Sequence, residues 1–350
     1  MSLTAVCSFD IDSEGRHCGY IRIGDSTNSS GWAYHSLPIT SVKNGAGVRL
    51  LILGGNHGDE YEGQIAALDL ARRLQVEDVR GQIIIIPVLS LAASASGTRL
   101  WPDGTNFNRV FPGKVDGTIA EKLAFYLSHD LFPTCDVVVD MHSGGRSMYF
   151  IPSSNMGWIK NLPLRDVMAR HMLSWKSQYH MIGGDQPSTN PDSLLPGDVV
   201  RQGKAVSTGE FGGSGWATAE SLEVIRVGLE NFMRGIGVYI VGKESVLSDF
   251  GKIIDSRDPL SFVTAPAEGI YENTVDLYDH VTAGDIVGRI HNFKQAGGEV
   301  IEVRARRSGI IAVIRGYPPV TIGDVVCYIG ALYNDFDSFQ AQAASEVVKQ

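Results

Sequence analysis

Residues 48–60 read Val48-Arg49-Leu50-Leu51-Ile52-Leu53-Gly54-Gly55-Asn56-His57-Gly58-Asp59-Glu60. The apolar run that opens this stretch predicts a buried strand, and the glycines after it predict a turn. The residues that follow, from 61 to about 74, have the pattern of a helix. The turn therefore places His57 and Glu60 at the junction of a strand and a helix, where both side chains can converge on one cation.

The same alternation of short apolar runs and amphipathic stretches continues to about residue 235. Strands are predicted at 37–43, 47–53, 82–89, 136–141 and 204–209. Helices are predicted at 61–75, 117–131, 161–177 and 218–234. This alternation is typical of an α/β fold, with a mixed but mostly parallel sheet flanked by helices. The run at 82–88 is apolar on both faces, which favours a central strand of that sheet.

Two similar halves follow a weaker pattern at 235–258. The first half joins 265–270 to 281–290, and the second joins 305–310 to 320–329. Each half has the order strand, glycine turn, strand, Gly-Asp turn and strand. The pair of halves resembles the flattened all-β barrel of lipoyl and biotinyl domains.

We therefore expect two domains, a catalytic α/β domain over 1–240 and a C-terminal β-barrel covering domain with a tail over 241–350. Barrels of the lipoyl and biotinyl type display a modified lysine between their halves. Lys294 lies between the halves here, but in a longer segment without the usual hairpin context. A plain covering domain is the simpler interpretation of the barrel.

The composition limits the classes of function. The chain has 350 residues, of which 43% are hydrophobic and 20% charged, as in an ordinary globular protein. A net charge of −9 and the lack of a Lys/Arg run argue against a nucleic-acid partner. The four scattered cysteines lack a Cys-x-x-Cys pair and are expected to be reduced thiols. No secretory signal or membrane-spanning stretch is visible, so we expect a cytoplasmic protein without a membrane partner.

A second histidine follows another predicted strand, in Val137-Val138-Val139-Asp140-Met141-His142-Ser143-Gly144-Gly145. Ligands bind at the carboxyl ends of strands in open parallel sheets, so His57, Glu60 and His142 should meet at one rim. Two histidines and one carboxylate, with a fourth position open, form the usual ligand set of a catalytic zinc hydrolase. The alternative for each histidine alone is a hydrogen bond to nearby backbone. The other histidines lack such a placement and are expected at the surface or in packing: His17, His35, His129, His171, His180, His280 and His291.

A zinc hydrolase also needs a proton-handling group beside the attacking water. Glu210 offers one at a third strand end, in Val206-Ser207-Thr208-Gly209-Glu210-Phe211-Gly212-Gly213. The small residues around it allow a substrate to come close. A surface or helix-capping carboxylate is the alternative, but the strand-end position favours catalysis.

The loop at 97–113 carries two candidate anion binders. Asn108 and Arg109 form a pair that can hold a carboxylate, with the arginine using its two-pronged donor set. Arg99, ten positions earlier, could face an oxyanion that develops during the reaction. Taken alone, both arginines fit weak surface ion pairs equally well.

Four motifs match one family in order and spacing: His57-Gly58-Asp59-Glu60, Asn108-Arg109-Val110-Phe111, Asp140-Met141-His142 and Glu210. The chain resembles the succinylglutamate desuccinylase/aspartoacylase family of zinc carboxypeptidase-like hydrolases over nearly its whole length. Within the family, the run at 54–63 and the Ala-Arg-Arg-Ser-Gly run at 305–309 resemble the deacetylases of ectoine breakdown. Those enzymes act on N-α-acetyl-L-2,4-diaminobutyrate.

The resemblance implies a role for each of these residues. His57, Glu60 and His142 would bind one zinc ion per subunit, and Glu210 would be the general base. Asn108 and Arg109 would bind the α-carboxylate of the substrate, and Arg99 would polarise the scissile carbonyl.

Two departures from the family pattern concern the loop at 97–113. Aspartoacylases have Asp-Leu-Asn-Arg where this chain has Asn106-Phe107-Asn108-Arg109, and Arg99 lies two residues farther from the pair than in aspartoacylase. Asp140, beside the ligand His142, is expected to support a histidine of the metal site.

The expected activity is zinc-dependent removal of an acyl group, with acetyl expected, from a small N-acyl amino acid. Deacylation of N-succinylglutamate or N-acetylaspartate is one alternative, and Arg146 keeps a succinyl substrate open. A metallocarboxypeptidase acting on peptides would have the same metal site, and a non-catalytic carrier with a modified Lys294 is a third alternative. Asp103 or Glu62 could bind a side-chain ammonium of the substrate. A homo-oligomer is common among relatives.

Overall fold

The computed structural model describes residues 5–184, 189–245 and 251–347. Up to residue 245 its strands are β1 (Ala5–Cys7), β2 (Gly15–Thr27), β3 (Ser30–Asn44), β4 (Arg49–Gly54), β5 (Gly81–Ile86), β6 (Val137–His142), β7 (Met148–Phe150), β8 (Ser153–Gly157), β9 (Tyr179–Gly183) and β10 (Ala205–Glu210). Its helices there are α1 (Tyr61–Arg73), α2 (Leu91–Ser96), α3 (Ile119–Tyr126), α4 (Leu162–Ser174), α5 (Leu195–Arg201) and α6 (Ala219–Gly235).

After residue 251 the described chain is almost entirely strands. They are β11 (Lys252–Ser256), β12 (Phe262–Thr264), β13 (Gly269–Asn273), β14 (His280–Val281), β15 (Ile286–His291), β16 (Ile301–Arg304), β17 (Gly309–Arg315), β18 (Pro319–Val320) and β19 (Val325–Tyr333). One helix, α7 (Phe336–Val347), follows them. None of the helices in the described residues is long and apolar enough to cross a membrane.

One large mixed sheet runs through the protein in the order β1-β2-β3-β5-β4-β6-β10-β8-β9-β11-β19-β17-β14. Its centre, β5-β4-β6-β10, is parallel, so the carboxyl ends of these strands lie at the same edge. The register places Glu210 of β10 directly beside His142 of β6. The topology therefore brings the ends of β4, β6 and β10 to one rim.

Helices cover both faces of the parallel centre. Ile83 and Ile85 of β5 lie in the same apolar cluster as α1 and α6, whereas Ile84 and Ile86 lie in the cluster that contains α3, α4 and α5. All residues of β5 are buried. This confirms the prediction of a central strand buried on both faces, whose continuous apolar sequence excludes water on either side.

All the predicted strands and helices are present, and the sheet is mixed as predicted. Parallel pairing does not dominate it, because it is limited to β5-β4-β6-β10 and β8-β9-β11. The predicted strand at 37–43 is part of β3, which pairs with β2 in a long antiparallel hairpin. Exposed positions alternate with less exposed ones along this hairpin, so its sequence lacks the continuous apolar run that predicts a buried strand. The prediction also lacked β1, β2, β7, β8 and β9, and the strand pairing across β10-β8-β9-β11 comes from contacts distant in sequence.

The two C-terminal halves exchange matching contacts. The Ala265 N–H donates to the Asp324 carbonyl at 2.8 Å, and the Ala305 N–H donates to the Asp285 carbonyl at the same distance. In the same way β13 pairs with β18, and β14 pairs with β17. The halves share an apolar cluster that includes Tyr271, Val287 and Ile329. Strand β19 also pairs with β11, so these strands continue the large sheet.

The division into domains at residue 240 stays a prediction, and residues 1–4, 185–188, 246–250 and 348–350 of the two predicted domains lie outside the described residues. The cysteines Cys7, Cys18, Cys135 and Cys327 are free, as expected of reduced thiols.

Acid sensitivity is expected from His180, a fully buried residue whose Nδ1 lies 2.6 Å from Ser154 Oγ. Burial lowers the pKa of His180 to about 3, from an ordinary value of 6.5. The unfolded chain therefore binds a proton here more readily, and stability falls as the pH drops below 6.5. Between pH 7 and pH 5 the wild type should lose about 2 kcal/mol more unfolding free energy than His180→Asn. Urea denaturation at both pH values measures this, and equal losses would contradict it.

Candidate metal centre

Two histidines share one buried carboxylate at the ends of β4 and β6. Nδ1 of His57 lies 2.7 Å from Oε1 of Glu60, and Nδ1 of His142 lies 2.7 Å from Oε2 of the same carboxylate. One donor atom from each residue lies within 4.8 Å of the other two. Within the described ranges, no other group of His, Cys, Asp and Glu side chains comes together in this way. The structure thus unites the three residues that the sequence nominated as metal ligands.

The charge states of this group suit a cation. Burial alone would raise the pKa of Glu60, but His57 and His142 outweigh it and hold the pKa well below its usual range. Burial lowers the pKa of His57 and keeps its imidazole neutral. Burial also opposes the charged form of His142, yet Asp140 and Glu60 raise its pKa well above the usual value. A cation at this place would take over the role of that imidazolium proton.

The turn that presents His57 and Glu60 is held by side chains from its own helix and from a neighbouring loop. Gln64 Nε2 donates to the carbonyls of Gly58 and Glu60, at 3.1 and 2.9 Å. Ser90 Oγ donates to the Asn56 carbonyl at 2.6 Å. Glu60 is the N-cap of α1, but its side chain caps no N–H of the helix because both oxygens face the histidines.

The second nitrogen of each histidine also has a partner, as is usual for metal-binding imidazoles. His142 Nε2 lies 2.9 Å from Asp140 Oδ2, the support that the sequence predicted. Asn56 Nδ2 donates to the same oxygen at 3.0 Å. His57 Nε2 lies 3.2 Å from Asn106 Oδ1. Sequence reasoning gave Asn56 and Asn106 no role, since a neutral amide in a glycine-rich loop carries no spacing signal.

Glu210 stands beside this group with an unsatisfied oxygen. Its Oε2 is buried, and no hydrogen-bond partner for it is found among the described residues. Burial raises the pKa of Glu210 to about 8, while the nearby His142 opposes that shift and Glu60 adds to it. A buried carboxylate without a partner is costly, and such groups are enriched at functional sites.

The two arginines of the loop at 97–113 reach the same region from the solvent side. Arg99 Nη1 donates to Glu60 Oε1 at 2.9 Å, and the Arg99 side chain is 43% exposed. Partial burial and the charge of Arg99 both lower the pKa of Arg109. Two neighbouring guanidinium groups repel each other and would attract an anion between them.

Asn108 forms structural hydrogen bonds that the sequence did not predict. Its Oδ1 accepts the backbone N–H of Leu195 at 2.8 Å, at the start of α5, and its backbone carbonyl accepts from Arg109 Nη1 at 2.7 Å. The side chain is buried. Its Nδ2 group is the only donor of this side chain and is therefore the part that can bind a carboxylate, while the contact with Leu195 fixes the orientation of the amide.

The residues expected to bind the side chain or the acyl group of the substrate differ in burial and in hydrogen bonding. Asp103 is exposed, and its Oδ1 accepts the Thr105 N–H at 2.9 Å. Glu62 is buried, and its Oε1 accepts the Gly213 N–H at 3.0 Å. Burial raises the pKa of Glu62 to about 7, although Ser143 and Gly213 oppose the shift. Arg146 is exposed, and its guanidinium lies 5.4 Å from the centre of the Tyr317 ring.

Lys294 lies outside this region, in the exposed segment between β15 and β16, and forms an ion pair with Glu268. Its role as a modified lysine stays an untested alternative.

Comparison with known proteins identifies the family. Residues 46–236 match the succinylglutamate desuccinylase/aspartoacylase catalytic domain. The chain is 35% identical to the N-alpha-acetyl-L-2,4-diaminobutyric acid deacetylase of Halomonas elongata over 321 residues, which cover 91% of this chain and 93% of that protein.

Two solved structures are similar over nearly their whole length. The product-bound ectoine utilization protein EutE (DoeB) from Ruegeria pomeroyi has a TM-score of 0.90 and 31% identity, with 95% of this chain and 100% of that chain covered. The succinylglutamate desuccinylase/aspartoacylase from Rhodobacter sphaeroides has a TM-score of 0.89 and 35% identity, with the same coverage. The chain therefore belongs to the succinylglutamate desuccinylase/aspartoacylase family of amide-hydrolysing deacylases.

Proposed function

We propose that the protein is a zinc-dependent deacetylase of small N-acyl amino acids, with N-α-acetyl-L-2,4-diaminobutyrate as the substrate. One observation carries the proposal: Glu210, whose Oε2 is buried and has no hydrogen-bond partner among the described residues, lies in register beside a His-Glu-His group. Such an arrangement can bind a metal and move a proton at adjacent places.

The donor set fits zinc. Two imidazole nitrogens and one carboxylate are the ligand types of catalytic zinc sites, and such sites keep another position for water or substrate. Asp140 and Asn106 engage the far nitrogens of His142 and His57, which leaves Nδ1 of each ring for the metal. Zinc, when bound there, supplies a Lewis acid that polarises a carbonyl and lowers the pKa of water toward about 7.

The residues around the His-Glu-His group have separate roles in the reaction. Glu210 takes the proton of the attacking water and later gives it to the departing amine nitrogen. Arg99 donates to the carbonyl oxygen as negative charge develops on it, the role that an oxyanion donor plays in acyl transfer. Arg109 and the Nδ2 of Asn108 bind the α-carboxylate and fix the distance of the amide from Glu210. The products are acetate and a free amino acid.

Small size and an α-carboxylate are the substrate features that the site supports best. Burial and the charge of Arg99 lower the pKa of Arg109, and the paired positive charges suit a carboxylate beside the scissile amide. The acetyl group and the diaminobutyrate part of the proposal rest on the 35% identical relative from Halomonas elongata and on the similar ectoine utilization protein.

We also propose that the strands after residue 251 form a barrel domain that covers the site. Strand β7, just after the His142 loop, pairs with β17. The Gly316 N–H donates to the Ser147 carbonyl at 2.8 Å, and Tyr317 packs on Arg146. A rim built this way narrows access and favours small substrates over peptides. The free cysteines suit a reducing compartment, and on this ground we place the enzyme in the cytoplasm.

The substrate is tested by amino-acid release from a panel, with and without chelator and added zinc. The panel contains N-α-acetyl-L-2,4-diaminobutyrate, N-acetylaspartate, N-succinylglutamate and a dipeptide with a free C-terminus. We expect chelator-sensitive cleavage of the first compound at the highest kcat/KM. Preferred cleavage of the dipeptide would make the enzyme a carboxypeptidase, and preference for the second or third compound would change the acyl amino acid.

The assignment of the base predicts the effect of Glu210→Gln. This change removes the proton acceptor but keeps the size of the side chain, so kcat should fall by about 10²–10⁴-fold. Zinc content, measured by atomic emission, should remain at one ion per chain. Glu223→Gln makes the same chemical change on the exposed face of α6 and should leave kcat unaltered. Retention of most activity in Glu210→Gln would refute the role of this residue.

The contact between Asp140 and His142 predicts the effect of Asp140→Asn on metal binding. An amide cannot hold the Nε2 proton of His142 as the carboxylate does, so zinc affinity should weaken by about 10–100-fold. Competition with a fluorescent chelator measures it. Asp136→Asn, an exposed position at the opposite end of β6, is the control and should bind zinc as the wild type does. Equal affinities in the two variants would contradict the role of Asp140.

A further inference from the structure

Two buried carboxylates at the turn and at the start of α1 have no part in the reaction above. Asp59 and Glu62 alternate with the ligands His57 and Glu60 along the chain, and they are only 6% and 1% exposed. A buried carboxylate is costly unless it is hydrogen-bonded. The partners of these two side chains therefore indicate why they are there.

Asp59 contacts the loop that follows His142. Its Oδ2 accepts the backbone N–H of Arg146 at 2.8 Å. The neighbouring Gly145 has a left-handed backbone with φ of 52°, and a Cβ there would lie 2.7 Å from the same oxygen. Only glycine allows the loop to come this close to the carboxylate.

Glu62 contacts the loop that follows Glu210. Its Oε1 accepts the backbone N–H of Gly213 at 3.0 Å. Gly212 has φ of 88°, and a Cβ there would lie 3.0 Å from that oxygen. The contact is equivalent to the one at Asp59: here a carboxylate from the first turn of α1 accepts a backbone N–H of the glycine-rich loop after β10.

The two loops are also bonded to each other. The Gly144 N–H donates to the Gly212 carbonyl at 3.0 Å, and the Gly215 N–H donates to the Gly145 carbonyl at 2.9 Å. Both loops begin directly after a residue of the site, His142 in one case and Glu210 in the other. A displacement of either loop would therefore move one of those side chains relative to His57 and Glu60.

We propose that Asp59 and Glu62 are positioning residues that fix His142 and Glu210 against the turn that carries His57 and Glu60. The inference rests on the proposed function for its catalytic consequence, but the bracing of the two loops is a property of the fold alone. The carboxylates act as hydrogen-bond acceptors for Arg146 and Gly213. A neutral amide of the same shape offers the same acceptor, whereas alanine offers none.

The first test compares Glu62→Ala with Glu62→Gln in the zinc-loaded full chain. Amide hydrogen exchange over residues 211–216 should be at least tenfold faster in Glu62→Ala, since Gly213 loses its acceptor. With N-α-acetyl-L-2,4-diaminobutyrate, kcat should fall about 100-fold, as a displacement near 1 Å can cause, and KM should change less than threefold. Glu62→Gln should restore exchange and kcat to within about threefold of the wild type.

The second test applies the same logic to Asp59→Ala and Asp59→Asn. Exchange over residues 143–149 should rise in the alanine variant and return in the asparagine variant, and zinc affinity should weaken in the first only. Asp136→Ala is the matched control, because Asp136 Oδ2 accepts the Arg49 N–H at 2.8 Å at the opposite ends of β4 and β6. This variant should leave both loops, zinc affinity and kcat as they are.

Several outcomes would overturn the inference. Unchanged loop exchange in both alanine variants would show that the carboxylates do not brace the loops. Equal losses in Glu62→Gln and Glu62→Ala would show that the charge matters rather than the acceptor. A KM raised by Glu62→Gln for the ammonium substrate, but not for N-acetyl-2-aminobutyrate, would make Glu62 the reader of the substrate side chain. If the wild type cleaves no N-acyl amino acid, the proposed function fails, while the exchange measurements still decide the bracing.

Discussion

The buried carboxylate of Glu60 is the interaction on which the site depends. Its oxygens meet Nδ1 of His57 and His142, Nη1 of Arg99 and, at 3.2 Å, the backbone N–H of Ser143. These partners come from the turn after β4, the end of β6 and the loop after α2. An ionised carboxylate with 2% exposure is tolerated only with such compensation. One charge therefore holds three chain segments, distant in sequence, at a common rim.

The rim is made rigid by contacts that run outward from this carboxylate. Asp140 receives both His142 and Asn56, so the second histidine is tied to the turn that carries the first. The carboxylates of Asp59 and Glu62 accept backbone N–H groups of the loops after β6 and β10. Under the proposed function, side chains held in this way would keep His142 and Glu210 within the small tolerances that proton transfer and substrate orientation require.

The strands after residue 251 are joined to the large sheet and to the loops of the site. They extend the large sheet through β11 and β19, and β17 pairs with β7 beside the site loops. The two halves of this region exchange equivalent backbone hydrogen bonds, as the repeated Gly-Asp turns indicated. This β region therefore lies beside the loops of the site, although its described residues contribute none of the candidate metal ligands.

Sequence patterns predicted most of the regular structure near the site. The uninterrupted apolar run of β5 required burial on both faces, and helices such as α1 and α6 carried a clear amphipathic period. The hairpin of β2 and β3 was not predicted because exposed positions alternate along it. The sheet is mixed as predicted, but antiparallel pairing takes a larger share of it than expected. Strand pairing depends on contacts between distant segments, which a local period does not record.

The sequence by itself determined which residues stand at strand ends, and so nominated His57, Glu60, His142 and Glu210. A glycine turn after an apolar run indicates the carboxyl end of a strand in a parallel sheet, and this pattern is visible in the sequence alone. Only the tertiary structure decided which polar groups face them. Asn106 Oδ1 lies beside Nε2 of His57. The backbone N–H groups of Leu195 and Gly213 donate to the side chains of Asn108 and Glu62, respectively. Hydrogen-bond partners lie within about 3 Å in space but tens of residues apart in the chain, so distance, and not spacing, selects them.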